Sequence, residues 1–185
     1  MVSEEIKLKA QQNMENKFQE SLERFKLHNY DVSSFVLPTI SFKLKGKVAG
    51  RAYSKENLIK LNYEITNFPE NTEEQLTDTL YHELGHIIAN FLFKDGQFGV
   101  LRDKYGRKLK RLKPHGEQWK LVMWMLDSND SVTHNLKIKV NNKNKIEYFC
   151  DCEDNSHWMT KNAHNKILRG ARYTCRACKS FLHIN

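Results

Sequence analysis

From Glu4 to Lys26 apolar residues return at every fourth position: Ile6, Ala10, Met14, Phe18 and Leu22, with Phe25 carrying the stripe on. Side chains at that spacing share one face of an α-helix, so the segment predicts an amphipathic helix laid over a core. His28-Asn29-Tyr30-Asp31 breaks the pattern. Beyond Pro38 the period changes to two. Ile40, Phe42 and Leu44 alternate with Ser41, Lys43 and Lys45, a turn follows near Gly46, and Ala49–Tyr53 and Leu58–Leu61 are further short strand candidates. Alternation turns one side of a strand to a core, and three such strands predict a small sheet.

A helix-start signal lies at Pro69–Thr72, where Asn71 with Glu74 and Thr72 with Gln75 both have capping-box spacing. The helix is expected to run to about Phe93 on the stripe Leu76, Leu80, Leu84, Ile87, Ile88 and Phe91. Residues 94–114, with Gly96, Gly99 and Gly106, read as a long loop. A second helix is expected from Pro114-His115, carrying Trp119, Val122, Met123 and Leu126. Leu136–Val140 and Ile146–Phe149 read as a hairpin around Asn141–Asn144. There is no internal repeat or low-complexity tract.

The length, 185 residues, suits one domain or one domain with a small module. Hydrophobic residues at 39% and charged residues at 28% are ordinary globular values, which excludes a chain disordered throughout. No apolar run is long enough to span a bilayer, and the first residues carry no apolar signal region, so no membrane role and a cytoplasmic location are the expectation. Nothing calls for more than a monomer. The net charge of +8 favours a polyanionic partner. All four cysteines, Cys150, Cys152, Cys175 and Cys178, fall in the last stretch of the chain. Clustered thiols without a secretory signal point to a metal site rather than disulfides.

The sharpest chemistry is His82-Glu83-Leu84-Gly85-His86 inside the second predicted helix. Residues four apart lie one turn apart on one face, so two imidazoles can reach one ion. Glu83, turned by about 100° from His82, falls beside the open coordination position, where a carboxylate can act as general base. The three share a helical face with Thr79 and Asn90, away from the Leu80–Leu84 stripe. A catalytic zinc needs a third protein ligand. A His six residues beyond His86 is ruled out, because that position is Leu92. The remaining candidates are His115 and Glu117.

With these segments in order, the chain resembles the SprT-like family of zincin metalloproteases, which includes the DNA-repair protease Spartan. The likeness is carried by Ala49-Gly50-Arg51-Ala52 with Ile59–Asn62, by His82–His86, by His115-Gly116-x-x-Trp119, by Tyr148–Cys152 and Tyr173–Cys178, and by Leu168-Arg169-Gly170. It implies an α+β fold: a zincin-like core with a small antiparallel sheet and an active-site helix over residues 1–130, then a zinc-ribbon-like module over 131–185. It also implies one catalytic zinc on His82, His86 and His115, with Glu83 as general base. The substrate would be protein, DNA-associated or DNA-crosslinked.

Cys175-x-x-Cys178 is a zinc half-site, whereas Cys150-x-Cys152 is tighter than usual. Either all four bind, or His157 or His164 replaces one. The resemblance implies four cysteines on a structural zinc. Trp158 and Tyr173 could stack on bases or simply pack the ribbon. The segment Leu101–Lys113 holds seven basic residues and one acid just before His115. Arg102, Lys104, Arg107, Lys108, Lys110 and Arg111 are the candidate contacts to a nucleic-acid backbone, with Tyr105 as a stacking face. The competing expectation is a nucleic-acid-binding zinc module with little or no peptidase activity.

Overall fold

The computed structural model describes residues 2–46, 48–62, 64, 73–131, 136, 144–152 and 156–184. The chain forms two compact units, Met1–Lys139 and Val140–Asn185. In the first, helix α1 (Glu4–Leu27) is followed by strands β1 (Thr39–Leu44), β2 (Gly50–Tyr53) and β3 (Leu58–Asn62), and then by helices α2 (Glu73–Lys94) and α3 (Glu117–Met125).

Helix α1 is set locally. The Ser3 side chain accepts the Ile6 N–H, Glu4 and Glu5 sit at the positive end of the helix dipole, and Arg24 and Lys26 sit at the negative end. Its exit turns on Asn29, whose φ of 59° is tolerated best by Gly and Asn, and Tyr30 N–H closes back on the Phe25 carbonyl. The expected stripe is the buried one: Ala10, Met14, Phe18 and Phe25 are in the core, and Ile6 and Leu22 pack against it. Tyr81 on α2 donates its hydroxyl to the Asn13 carbonyl, tying the two helices together.

The three expected strands form one sheet in the order β1-β3-β2. It is mixed rather than antiparallel, which corrects the sequence reading: β2 and β3 are antiparallel, but β1 pairs with β3 in parallel. The cause is the short turn after Tyr53. It folds β2 back on β3 and leaves β3, with Ile59 and Leu61 fully buried, as the central strand. Among the described residues, both β1 and β2 are therefore edges. The helix-start residues Pro69–Thr72 lie outside the described residues, but the stripe of α2 packs as expected, with Leu80, Leu84, Ile87 and Ile88 in the core.

In the second unit β4 (Lys145–Phe149) pairs antiparallel with β5 (Ser156–Thr160), and helix α4 (Lys161–Leu168) follows directly, capped by Thr160. The sequence reading paired 146–149 with 136–140 instead. Apart from Leu136 that segment lies outside the described residues, and the partner observed for β4 is β5. Tyr148 fills the centre of this unit, and its hydroxyl meets His164 Nδ1 at 3.0 Å. Phe149 and His183 exchange two backbone hydrogen bonds, which bring the chain beyond the last cysteines back beside β4.

Phe25 has no solvent exposure. Its replacement by Ala is expected to cost about 3–5 kcal/mol of stability. Urea titration checks this: the midpoint should fall while the slope is unchanged.

Candidate metal centres and catalytic cleft

Three elements converge on one cleft of about 870 Å³: the edge strand β2, one face of α2, and the segment Leu112–Trp119. Gln75, Asp78, Thr79, His82, Glu83, His86 and Asn90 line it from α2, the helical face that the spacing predicted. His115 Nε2 lies 2.9 Å from His82 Nε2 and 3.1 Å from His86 Nε2. Glu117, the other candidate third ligand, is exposed on α3 and outside this group. The sequence places His115 at the start of the helix that is α3, and in the structure it lies just ahead of that helix. It precedes the N-cap Gly116 and holds a left-handed φ of 54°, a conformation available to His at a modest cost. That turn is what aims the imidazole back at α2.

The donor set suits a metal ion. Burial, and then the neighbouring His82 and His115, push His86 down to about 3, and burial lowers His115 too, so both present neutral lone pairs. Nitrogens on a tetrahedral zinc stand about 3.3 Å apart, close to the separations found here.

Glu83 is 8% exposed. Burial lifts its carboxyl to about 7, opposed first by a hydrogen bond from the Ala52 N–H and then by the Arg51 guanidinium. It rests on β2 because Gly50 has no side chain: a Cβ there would stand 2.7 Å from Glu83 Cγ and 2.8 Å from its Oε1. A buried carboxylate beside three converging imidazoles, on the wall of a cleft, is an arrangement suited to proton transfer.

Trp119 is the residue whose role the sequence did not disclose. It is 1% exposed, its ring is stacked on His86 at 5.3 Å between centroids, and it meets His82 and His115 at 4.8 and 4.7 Å. Its Nε1–H donates to the His82 carbonyl at 3.4 Å. Gly85 makes this possible, since a Cβ there would collide with Met123 Sδ and stand 3.2 Å from Trp119 Nε1. The glycine inside the His-Glu-x-x-His run thus lets α3 approach and places one indole under all three imidazoles.

The Sγ atoms of Cys150, Cys152, Cys175 and Cys178 form a second group, with all ligand atoms within 4.8 Å of one another. Cys150 leaves β4, and Cys175–Ser180 forms a tight knuckle closed by Cys175 N–H to the Ser180 carbonyl and Lys179 N–H to the Cys175 carbonyl. The two histidines considered as substitutes are placed otherwise. His157 Nε2 touches Cys150 Sγ at 3.2 Å, and His164 is engaged by Tyr148. Hydrogen bonds from Ser180 bring the Cys178 thiol down to about 6, whereas hydrogen bonding to Cys178 and Cys150 pushes Cys152 up to about 12. Four sulfurs this close cannot all ionise without a cation among them, which is what a thiolate metal site supplies.

A model of the SprT-like family matches residues 15–142. The chain belongs to the SprT-like family. It is similar to the protein SprT of Pseudomonas fluorescens strain Pf0-1, with 33% identity over 80% of each chain. It is likewise similar to the SprT proteins of Pseudomonas paraeruginosa strain PA7 and Pseudomonas aeruginosa strain LESB58, each 34% identical over 80% of this chain and 81% of the relative. No solved structure matches. Among the described residues, no helix is long and apolar enough to cross a membrane.

The basic segment before His115 is a small hairpin. Arg102 pairs with Lys108, and Asp103 at the bend accepts from the Tyr105 and Arg107 N–H groups and binds the Arg107 guanidinium. Lys104 and Arg107 lie over the exposed Tyr105 ring, at 4.9 and 5.1 Å. Lys108, Lys110 and Arg111 are exposed and lie outside the observed ion pairs.

Truncating Trp119 to Ala is expected to weaken metal binding at the histidine centre by about 10–100-fold, the usual effect of losing a residue that orients ligands. Trp119→Phe, which keeps a ring, should recover much of it. Competition against a metal-binding dye measures both. Replacing Cys175 by Ala should release the second metal and raise hydrogen exchange across 145–183, because a unit this small depends on its staple. Exchange in α1 and α2 should stay unchanged.

Proposed function

We propose that this chain is a zinc-dependent endopeptidase acting on proteins associated with nucleic acid. The observation that carries the reading is the convergence of His82, His86 and His115 beside the buried carboxyl of Glu83, in an open cleft edged by a strand. In this reading the three imidazoles hold a catalytic zinc, and the four cysteines hold a structural one. When bound, the ion supplies Lewis acidity, lowering the pKa of a water to about 7 and polarising a carbonyl.

The protein's own part is positioning and proton transfer. Strand β2 is an edge, and an extended peptide can add to such an edge with its carbonyls over α2. The Ala52 N–H fixes the Glu83 carboxylate at that edge. From there the carboxylate takes the proton of the attacking water and returns it to the departing amine. Trp119 and the helix packing hold the imidazoles in place while this happens.

The nucleic-acid part is supported by the net charge of +8 and by the exposed cations around Tyr105, on the segment that leads into the cleft. Arg102, Lys104, Arg107, Lys108, Lys110 and Arg111 would grip phosphates and Tyr105 a base. Nucleic acid would bring substrate to the cleft rather than be cut.

The Glu83→Gln variant is expected to keep its metal content and to lose peptide cleavage by about 10²–10⁴-fold. Cleavage of an unfolded protein, with and without DNA, followed by gel densitometry and paired with metal analysis, tests this. Retained cleavage would sink the mechanism.

A further inference from the structure

We infer that the outer face of the β1-β3-β2 sheet is a docking surface for the phosphate backbone of nucleic acid, contiguous with the catalytic cleft. This deepens the nucleic-acid half of the reading above and rests on it, but it places a second contact away from the 101–113 hairpin.

Between Phe42 and Leu61 the sequence has six Lys or Arg and one acid, Glu56. The register sorts these strands into two faces. Ile59 pairs with Ile40 and Ala52, and all three contribute to the core. Lys60 pairs with Ser41 on one side and Arg51 on the other, so these three form a row across the opposite face, about 4.8 Å from strand to strand. Tyr53 stands on that same face, with Lys60 Nζ 4.8 Å from its ring centroid. Lys43, in the irregular stretch of β1, and Lys45 and Lys55, in the flanking loops, are all exposed.

Among the described residues, none of Lys43, Lys45, Arg51, Lys55 and Lys60 is in an ion pair. None of the exposed large hydrophobic side chains lies on β1, β2 or β3, so the face offers charge and little to insert into a bilayer. Cations spread over a sheet outside the observed ion pairs suit a polyanion whose charges repeat along a chain, with Tyr53 as an aromatic face among them.

Strand β2 joins this surface to the chemistry. Gly50 and Ala52 face Glu83, while Arg51 and Tyr53 face outward, and Arg51 also lines the cleft. Nucleic acid lying on the sheet would pass within one strand of the catalytic carboxylate and deliver an attached protein there.

Binding of labelled single- and double-stranded oligonucleotides to the full metal-loaded chain, by fluorescence anisotropy between about 50 and about 200 mM salt, tests this. The Lys43→Gln, Lys60→Gln pair is set against a control pair with the same charge change on the helices, Lys26→Gln, Lys94→Gln. The sheet pair should bind about tenfold more weakly, with the log–log salt slope shallower by about 2, since each lost phosphate contact removes about 0.9. The control should match wild type. Equal behaviour of the two pairs would overturn the proposal. So would a sheet pair that loses binding to phosphatidylserine vesicles or polyglutamate but not to oligonucleotides. The readout needs no hydrolysis, so a chain lacking peptidase activity leaves it intact.

Discussion

The histidine cluster of the first unit depends on one close approach. Helix α3 can lie against α2 only because Gly85 presents no side chain to Met123 and Trp119. Everything at the centre follows from that contact. The indole reaches under His82 and His86, the start of α3 is fixed, and His115 just ahead of it is carried to the other two ring nitrogens. The buried ring contributes on the order of 150–250 Å² of removed surface, so the same contact that aligns the ligands also helps to hold the two helices together. A second glycine does the corresponding work on the other wall, where Gly50 lets the Glu83 carboxylate lie against the edge strand.

What could be read from the sequence was whatever depends on neighbours a few residues away. The stripes of α1 and α2 were legible because a period near four is a local signal, and the core keeps them. His82, Glu83 and His86 were legible for the same reason. The non-local features were not. Parallel pairing of β1 with β3 depends on which strand takes the centre, and the alternation of Ile40, Phe42 and Leu44 is the same in either direction. The left-handed turn at His115 depends on how a long loop closes, and the indole under the ligands depends on a helix–helix distance. Strand β5 and helix α4 went unread because both are short, α4 buries no residue and β5 leaves Trp158 exposed.

The two clusters of candidate ligands are built in opposite ways. In the first, two of the three clustered imidazoles stand on a helix that the hydrophobic core orders, and the third stands on the turn just ahead of α3. In the second unit, which is short and has few buried apolar residues beside Tyr148 among the described residues, the four sulfurs sit on a strand end and a knuckle.

The third imidazole is held from both sides: the Gly116 N–H donates to the Lys113 carbonyl and Leu112 packs on the core, while the packing of α3 fixes the far side. Ahead of that anchor the 100–111 segment can change in length at slight entropic cost, since closure grows only as the logarithm of loop size. The hairpin built into it is in that sense an interchangeable attachment. Another sequence could stand there without disturbing His82, His86 or His115.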